Sequence, residues 1–172
     1  MRIKATPEAL LRQTLSTRNS LLLVLLFSAI NLALLLVGSD TYFLFSASIP
    51  YYLTAFGMGM DLGLGADGIG TYTLITLGIS VAVLLLYLVC WLQSRRHPRS
   101  MAVALVAFLL DTLVLLWLCL RMDLLVESIP DLLFHAWVIL ELVRFLSANH
   151  KLDKMIEAFD PSKPDDFDDM DF

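Results

Sequence analysis

Apolar residues fall into four long runs along this chain, each bounded by charges or by glycine and proline. The runs at 20–37, 73–92 and 101–120 are apolar nearly all the way round a helix, as lipid-facing helices must be. A hydrocarbon layer ~30 Å thick needs about 20 helical residues, so each run is long enough to cross one. A fourth run, at about 131–149, has the length but is interrupted by His135, Glu141 and Arg144. The pattern predicts an all-α integral membrane protein. Its four transmembrane helices form an antiparallel bundle within residues 19–150.

The connecting pieces have patterns of their own. Thr6-Pro7-Glu8 reads as a helix start, with Thr6 as cap and Pro7 at the first helical position. Residues 1–18 are therefore expected to form a short interfacial helix ahead of the first span. Residues 40–56 carry Tyr42, Phe43, Phe45, Tyr51, Tyr52 and Phe56 around Pro50. Aromatic side chains favour headgroup depth, so this segment is expected to lie in the outer interface or to dip in and return. The glycine-rich stretch 57–70 reads as a flexible outer loop. Beyond the fourth span, Leu152, Met155, Ile156 and Phe159 recur at helical spacing, which extends a helix over 151–159. Residues 160–172 combine two prolines with a run of aspartates and are expected to form a disordered acidic tail.

Positive charge sets a direction. Four Lys/Arg precede the first span, none lies in 38–72, three lie in 93–100, one in 121–131 and two just after the fourth span. Cytoplasmic connections carry the excess of Lys/Arg, so both termini are expected in the cytoplasm and the protein in the plasma membrane. The first apolar run exceeds the ~7–15 residues of a signal peptide, and no small-residue cleavage site follows it, so it is read as retained.

Composition adds exclusions. The chain is 58% hydrophobic, above the ~45–50% typical of soluble proteins. The three lysines and eight acidic residues of 151–172 account for the whole formal charge of −5. No basic patch with interleaved aromatics suggests nucleic acid. Cys90 and Cys119 lie in separate apolar runs without C-x-x-C spacing, so they read as filler and not as a disulfide framework or a zinc site. Gly63-Leu64-Gly65-Ala66-Asp67-Gly68 matches G-x-G-x-x-G formally, but no strand precedes it, so no dinucleotide site is expected. Asp61 and Asp67 lack the ligand density of a calcium loop. No metal and no cofactor is expected. Neither G-x-S-x-G nor H-E-x-x-H occurs, so the chain reads as a non-enzyme.

The chemistry of interest is the aspartate within VAFLLDTLVLLW, Asp111. A charge at mid-bilayer costs about 2.5–3.5 kcal/mol on insertion scales and usually faces a partner inside the bundle. A tight hairpin of the third and fourth spans puts Asp111 level with Leu140, next to Glu141 and one turn from Arg144. The expected constellation is a buried Asp111–Arg144–Glu141 charge cluster, with His135 as an extension of a proton path. Asn31 is expected to meet Ser80 as an interhelical polar contact.

Two function classes fit. One is a non-enzymatic accessory protein or subunit of a membrane complex. It would meet another membrane protein, or a cytoplasmic protein through the acidic tail. The alternative is a small proton-coupled transport component, homo-oligomeric, using Asp111 and Glu141. The bilayer is a partner in both.

Overall fold

The computed structural model describes residues 6–39, 41–123, 125–126 and 128–158. The acidic tail expected at 160–172 and the first five residues lie outside them. Among the described residues five helices follow one another: α1 (Pro7–Leu36), α2 (Ser48–Gly63), α3 (Thr71–Gln93), α4 (Ser100–Met122) and α5 (Ile129–Ala158). No strand occurs among the described residues. Three helices, α1, α3 and α4, are long and apolar enough to cross a membrane. This is the build of a multi-pass membrane protein.

α1 starts where the sequence places it. Thr6 is extended, its hydroxyl accepts from Ala9 N at 3.4 Å, and proline occupies the first turn. The leader, however, is not a separate helix: α1 runs unbroken for 30 residues into the first apolar run. The polar stretch Thr17-Arg18-Asn19-Ser20 looks like a boundary in one dimension. In three dimensions Thr17 is buried against α5 and Arg18 reaches α3, so packing carries the helix through it.

α1, α5, α4 and α3 form a ring in which each helix touches the next, and α2 packs on α3, α1 and α4. One end of the ring gathers Arg12, Arg18, Arg95, Arg96, Arg99, Arg144, Lys151 and Lys154, and is called the basic end below. The opposite, far end holds the connections at residues 37–39, 64–70 and 125–126. The basic half is closed by apolar packing of Leu21, Tyr87, Met101, Phe108, Leu142 and Phe145. The far half is filled differently, because α2 is wedged into it.

α2 was legible only as an aromatic, proline-interrupted segment. It is a helix of 16 residues, about 24 Å at 1.5 Å per residue, and it absorbs the first half of the glycine-rich stretch. The reason lies in its buried stripe, Pro50, Thr54, Gly57 and Asp61, at helical spacing. This face lies on the stripe Thr73, Thr76 and Ser80 of α3. A Cβ at Gly57 would meet the Thr76 hydroxyl and come within 2.8 Å of the Tyr72 carbonyl, so only glycine permits the approach. Of the remaining glycines, 65 and 68 turn the chain between α2 and α3, Gly65 at φ +79°.

Candidate functional site

Between α1 and α2 the chain re-enters the bundle. Asn31 holds the returning segment like a clamp. Its side-chain oxygen accepts from Phe43 N at 2.8 Å, and its amide donates to Phe43 O at 2.7 Å and to Ser46 Oγ at 2.8 Å. About one turn deeper, Ser28 Oγ accepts from Ala47 N at 2.7 Å. From Leu36 back to Ser28 is eight residues of α1, a descent of about 12 Å. α2 therefore begins inside the bundle and climbs back to the far end.

A helix that starts in an apolar interior has a specific problem. Its first four N–H groups have no intrahelical partner, and no water is at hand to take them. The cap residue, Ala47, has no side-chain acceptor. Asp111 of α4 supplies what is missing. Its Oδ2 accepts from Ser48 N at 2.9 Å and its Oδ1 accepts from Ile49 N at 2.6 Å. With Ala47 N on Ser28 and no N–H on Pro50, all four positions are accounted for. The carboxylate also sits at the positive end of the α2 dipole, where a negative charge is stabilised.

Asp111 is positioned by the helix pattern of α4. Met101, Ala104, Phe108, Asp111, Leu115 and Cys119 form its buried stripe, and Asp111 stands midway along the 23-residue helix with no exposure. His135 of α5 completes the site, also fully buried. Its Nε2 lies 3.2 Å from Ser48 Oγ and its Nδ1 3.0 Å from Thr112 Oγ1. Thr112 donates its hydroxyl proton to Phe108 O at 2.8 Å, so it accepts from Nδ1–H, and in the neutral imidazole Nε2 accepts from Ser48. His135 Nδ1 stands 3.7 Å from Asp111 Oδ2, too far for a direct hydrogen bond. Phe108 stacks on the ring at 4.8 Å.

The expected charge cluster divides in two. Glu141 and Arg144 do meet: Arg144 Nη1 donates to Glu141 Oε1 at 2.8 Å, and Thr17 Oγ1 donates to Oε2 at 3.1 Å. Asp111 does not join them. It faces His135 where a tight hairpin would face Leu140, a register difference of five residues or about 7.5 Å. The reason is α2, whose N-terminus draws Asp111 toward itself. Arg144 has a side chain 57% exposed toward the basic end and pairs with Glu141.

The expected Asn31–Ser80 contact does not form either, and again α2 intervenes. Ser80 Oγ donates to Pro50 O at 2.9 Å and lies 2.9 Å from Thr54 Oγ1. At the far end Asp61 does for α3 what Asp111 does for α2. It accepts from Tyr72 N at 3.1 Å, Thr73 N at 2.7 Å and the Thr73 hydroxyl at 2.6 Å. Gly78 of α3 faces open space.

One acidic group lacks this treatment. Asp131, one turn of α5 beyond His135, is 7% exposed, and its Oδ1 has no hydrogen-bond partner. Among the described residues no group of three or more His, Cys, Asp or Glu is placed to hold a metal.

Sequence reasoning found Asp111 and Asn31 but missed Ser28, Ser48, Thr54, Asp61 and Thr73. A signal was present: Thr73, Thr76, Ser80, Leu84, Tyr87 and Cys90 form one helical stripe, whose polar half faces an equally polar stripe in the aromatic segment. No protein family, curated protein or solved structure matches the chain.

Proposed function

We propose that this chain is a plasma-membrane protein that crosses the bilayer four times, through α1, α3, α4 and α5. In this reading α2 is a re-entrant half-helix from the outer side, and both termini are cytoplasmic. Lys/Arg segregation at the basic end supports the direction. The length of α5 and its place in the ring beside α1 and α4 support the fourth crossing, despite its charges. Reporter fusions after residues 60 and 125 should read outside, and fusions after 97 and 160 inside. A cytoplasmic signal at residue 60 would remove the four-span reading.

Its biochemical role, in our reading, is that of a non-enzymatic accessory or subunit of a membrane complex. The observation carrying this is the use made of Asp111. Both its oxygens are engaged by the backbone of α2, which is the task of an architectural residue. Glu141 is likewise engaged by Thr17 and Arg144. Purification in mild detergent tests the reading: an unlike partner at fixed stoichiometry supports it, and a homo-oligomer carrying a proton-driven flux in liposomes refutes it.

The second reading, a small proton-coupled transport component, draws on the buried Asp111–His135 pair and on the unpartnered oxygen of Asp131. Intramembrane carboxylates near a half-helix terminus occur in transporters. Flux that is abolished by Asp111→Asn, in a protein whose α2 stays folded, would favour it.

A further inference from the structure

The basic end carries a cluster that no ion pair among the described residues engages. The turn between α3 and α4 exposes Arg95, Arg96, His97 and Arg99 within five residues. A further guanidinium is brought to it from α1. Arg18 Nε donates to Ser94 Oγ at 2.8 Å, and its Cζ stands 5.5 Å from the centre of the Trp91 ring. Ser94 is fixed in turn by donating to Trp91 O at 2.7 Å. Arg18 is thus held in place, at a position where the charge of Arg95 opposes its own. Among the described residues no carboxylate lies within ion-pair distance of Arg18, Arg95, Arg96 or Arg99; Glu141 is taken by Arg144.

Beside this cluster an open cleft of about 680 Å³ is lined by Trp91, Leu92, Gln93, Arg95, Arg96 and His97. Its wall is apolar on the α3 side and cationic on the turn side. The indole N–H of Trp91 is buried and has no acceptor. Like charges gathered without a counter-charge among the described residues call for an anion, and planar guanidinium groups match phosphate oxygens. The cleft lies where the apolar surfaces of α3 and α4 end, with Leu92 exposed beside it and Val103 one turn into the next helix. An anion with an apolar tail fits that junction; a free anion would use only half of it.

We propose that Arg18, Arg95 and Arg96, with Trp91 at their base, bind the phosphate of an anionic phospholipid at the inner headgroup layer. This rests on the four-span reading with the basic end cytoplasmic. Arg95 and Arg96 clasp the phosphate, Arg18 supplies the fixed third cation, and the acyl chains run along Leu92 and the outer faces of α3 and α4. Basic residues near a membrane surface attract anionic lipid at about 1 kcal/mol each, so loss of two predicts a drop of roughly 30-fold.

The test uses the full chain in nanodiscs of phosphatidylcholine with a minor share of phosphatidylglycerol, read by native mass spectrometry of retained lipid. Wild type should keep phosphatidylglycerol in preference to phosphatidylcholine, and Arg95→Gln/Arg96→Gln should lose that preference while melting as wild type does. The control is Lys151→Gln/Lys154→Gln, which removes the same charge from the exposed extension of α5 and should retain the preference. Equal loss in both variants means diffuse attraction and overturns the site. A melting shift produced by inorganic phosphate alone, with no lipid preference, overturns the lipid as its source. Release of the protein from membranes by an alkaline carbonate wash would instead sink the membrane reading itself, so the two failures are told apart.

Discussion

Removing the Asp111 carboxylate should loosen α2 in particular, and the size of the effect follows from the bonds it makes. In Asp111→Leu, Ser48 N and Ile49 N both lose their acceptors, at a site where Asp111 and Ser48 have no exposure. Each orphaned buried N–H costs about 1–3 kcal/mol, so the loss is on the order of 2–6 kcal/mol. Relief from burying a carboxylate offsets part of it, which puts Asp111→Leu at about 2–4 kcal/mol. Asp111→Asn offers one acceptor oxygen and a donor where a second acceptor is needed, and should cost about 1–3 kcal/mol. The discriminating variant is Ser48→Pro. Position 48 is the first residue of α2, where proline is tolerated, and Ala47 before it sits at φ −74°, ψ 137°, a conformation proline accepts in its predecessor. Proline removes the Ser48 N–H, so Asp111→Asn should harm a Ser48→Pro protein less than it harms the wild type. The lost Ser48–His135 contact is common to both arms and cancels in the cycle. Detergent melting measures the four proteins, and hydrogen exchange at residues 48–63 locates the effect. A coupling near zero in the double-mutant cycle, or exchange rising evenly over all five helices, would show that Asp111 is not the cap.

Three further outcomes follow from other contacts. Gly57→Ala should destabilise by about 1–3 kcal/mol because its Cβ has no room beside Tyr72 and Thr76, whereas Gly59→Ala, facing open space in the same helix, should be neutral or slightly stabilising; thermal melts that rank them the other way would contradict the α2–α3 packing. Asn31→Ala breaks three hydrogen bonds to the returning segment and should cost about 2–4 kcal/mol, with faster proteolysis around residues 41–47; an unchanged digestion pattern would mean that segment is held elsewhere. Arg144→Leu should cost only ~0–1 kcal/mol, since its pair with Glu141 is half in solvent, and its effect should add to that of Asp111→Asn; a strong coupling between those two positions would restore the single charge cluster that the spacing suggests.

The long helices were legible because they are repetitive. Runs of twenty apolar residues have one physical outcome in a bilayer, and Thr6-Pro7 marks a start that the structure keeps. Asp111 was legible as a residue that must have a partner. The identity of that partner was not, and the reason is general: a backbone N–H leaves no mark in a sequence. A search for side-chain charges of opposite sign leads to Arg144, which is the nearest one along α5. The true donors belong to a segment whose proline and glycines argue against a buried helix. Yet Pro50 stands at a first-turn position that needs no N–H, and Gly57 stands where α3 comes closest. Residues that look like breakers are, at these positions, what the packing requires.

That observation also bears on why the charge is an aspartate. An asparagine at 111 would satisfy one N–H of α2 and avoid a buried charge, and a serine or threonine would do nearly as well on an exposed helix. Neither can take two N–H groups at once with both of its heteroatoms. A carboxylate can, and at 2.6 and 2.9 Å it does so with each oxygen. Asp61 repeats the solution at the start of α3, where again the cap residue, Gly70, has no side chain to offer. Both helices of this tightly packed pair begin with a small residue that permits close approach and forfeits the local cap. In each case the acceptor has moved to a neighbouring helix. The cap then becomes a tertiary contact, and α2 is held at the depth where its N-terminus finds Asp111. On this reasoning the aspartate in the middle of α4 sets how deep in the bundle α2 begins, a structural task that a buried carboxylate on a neighbouring helix performs with both oxygens.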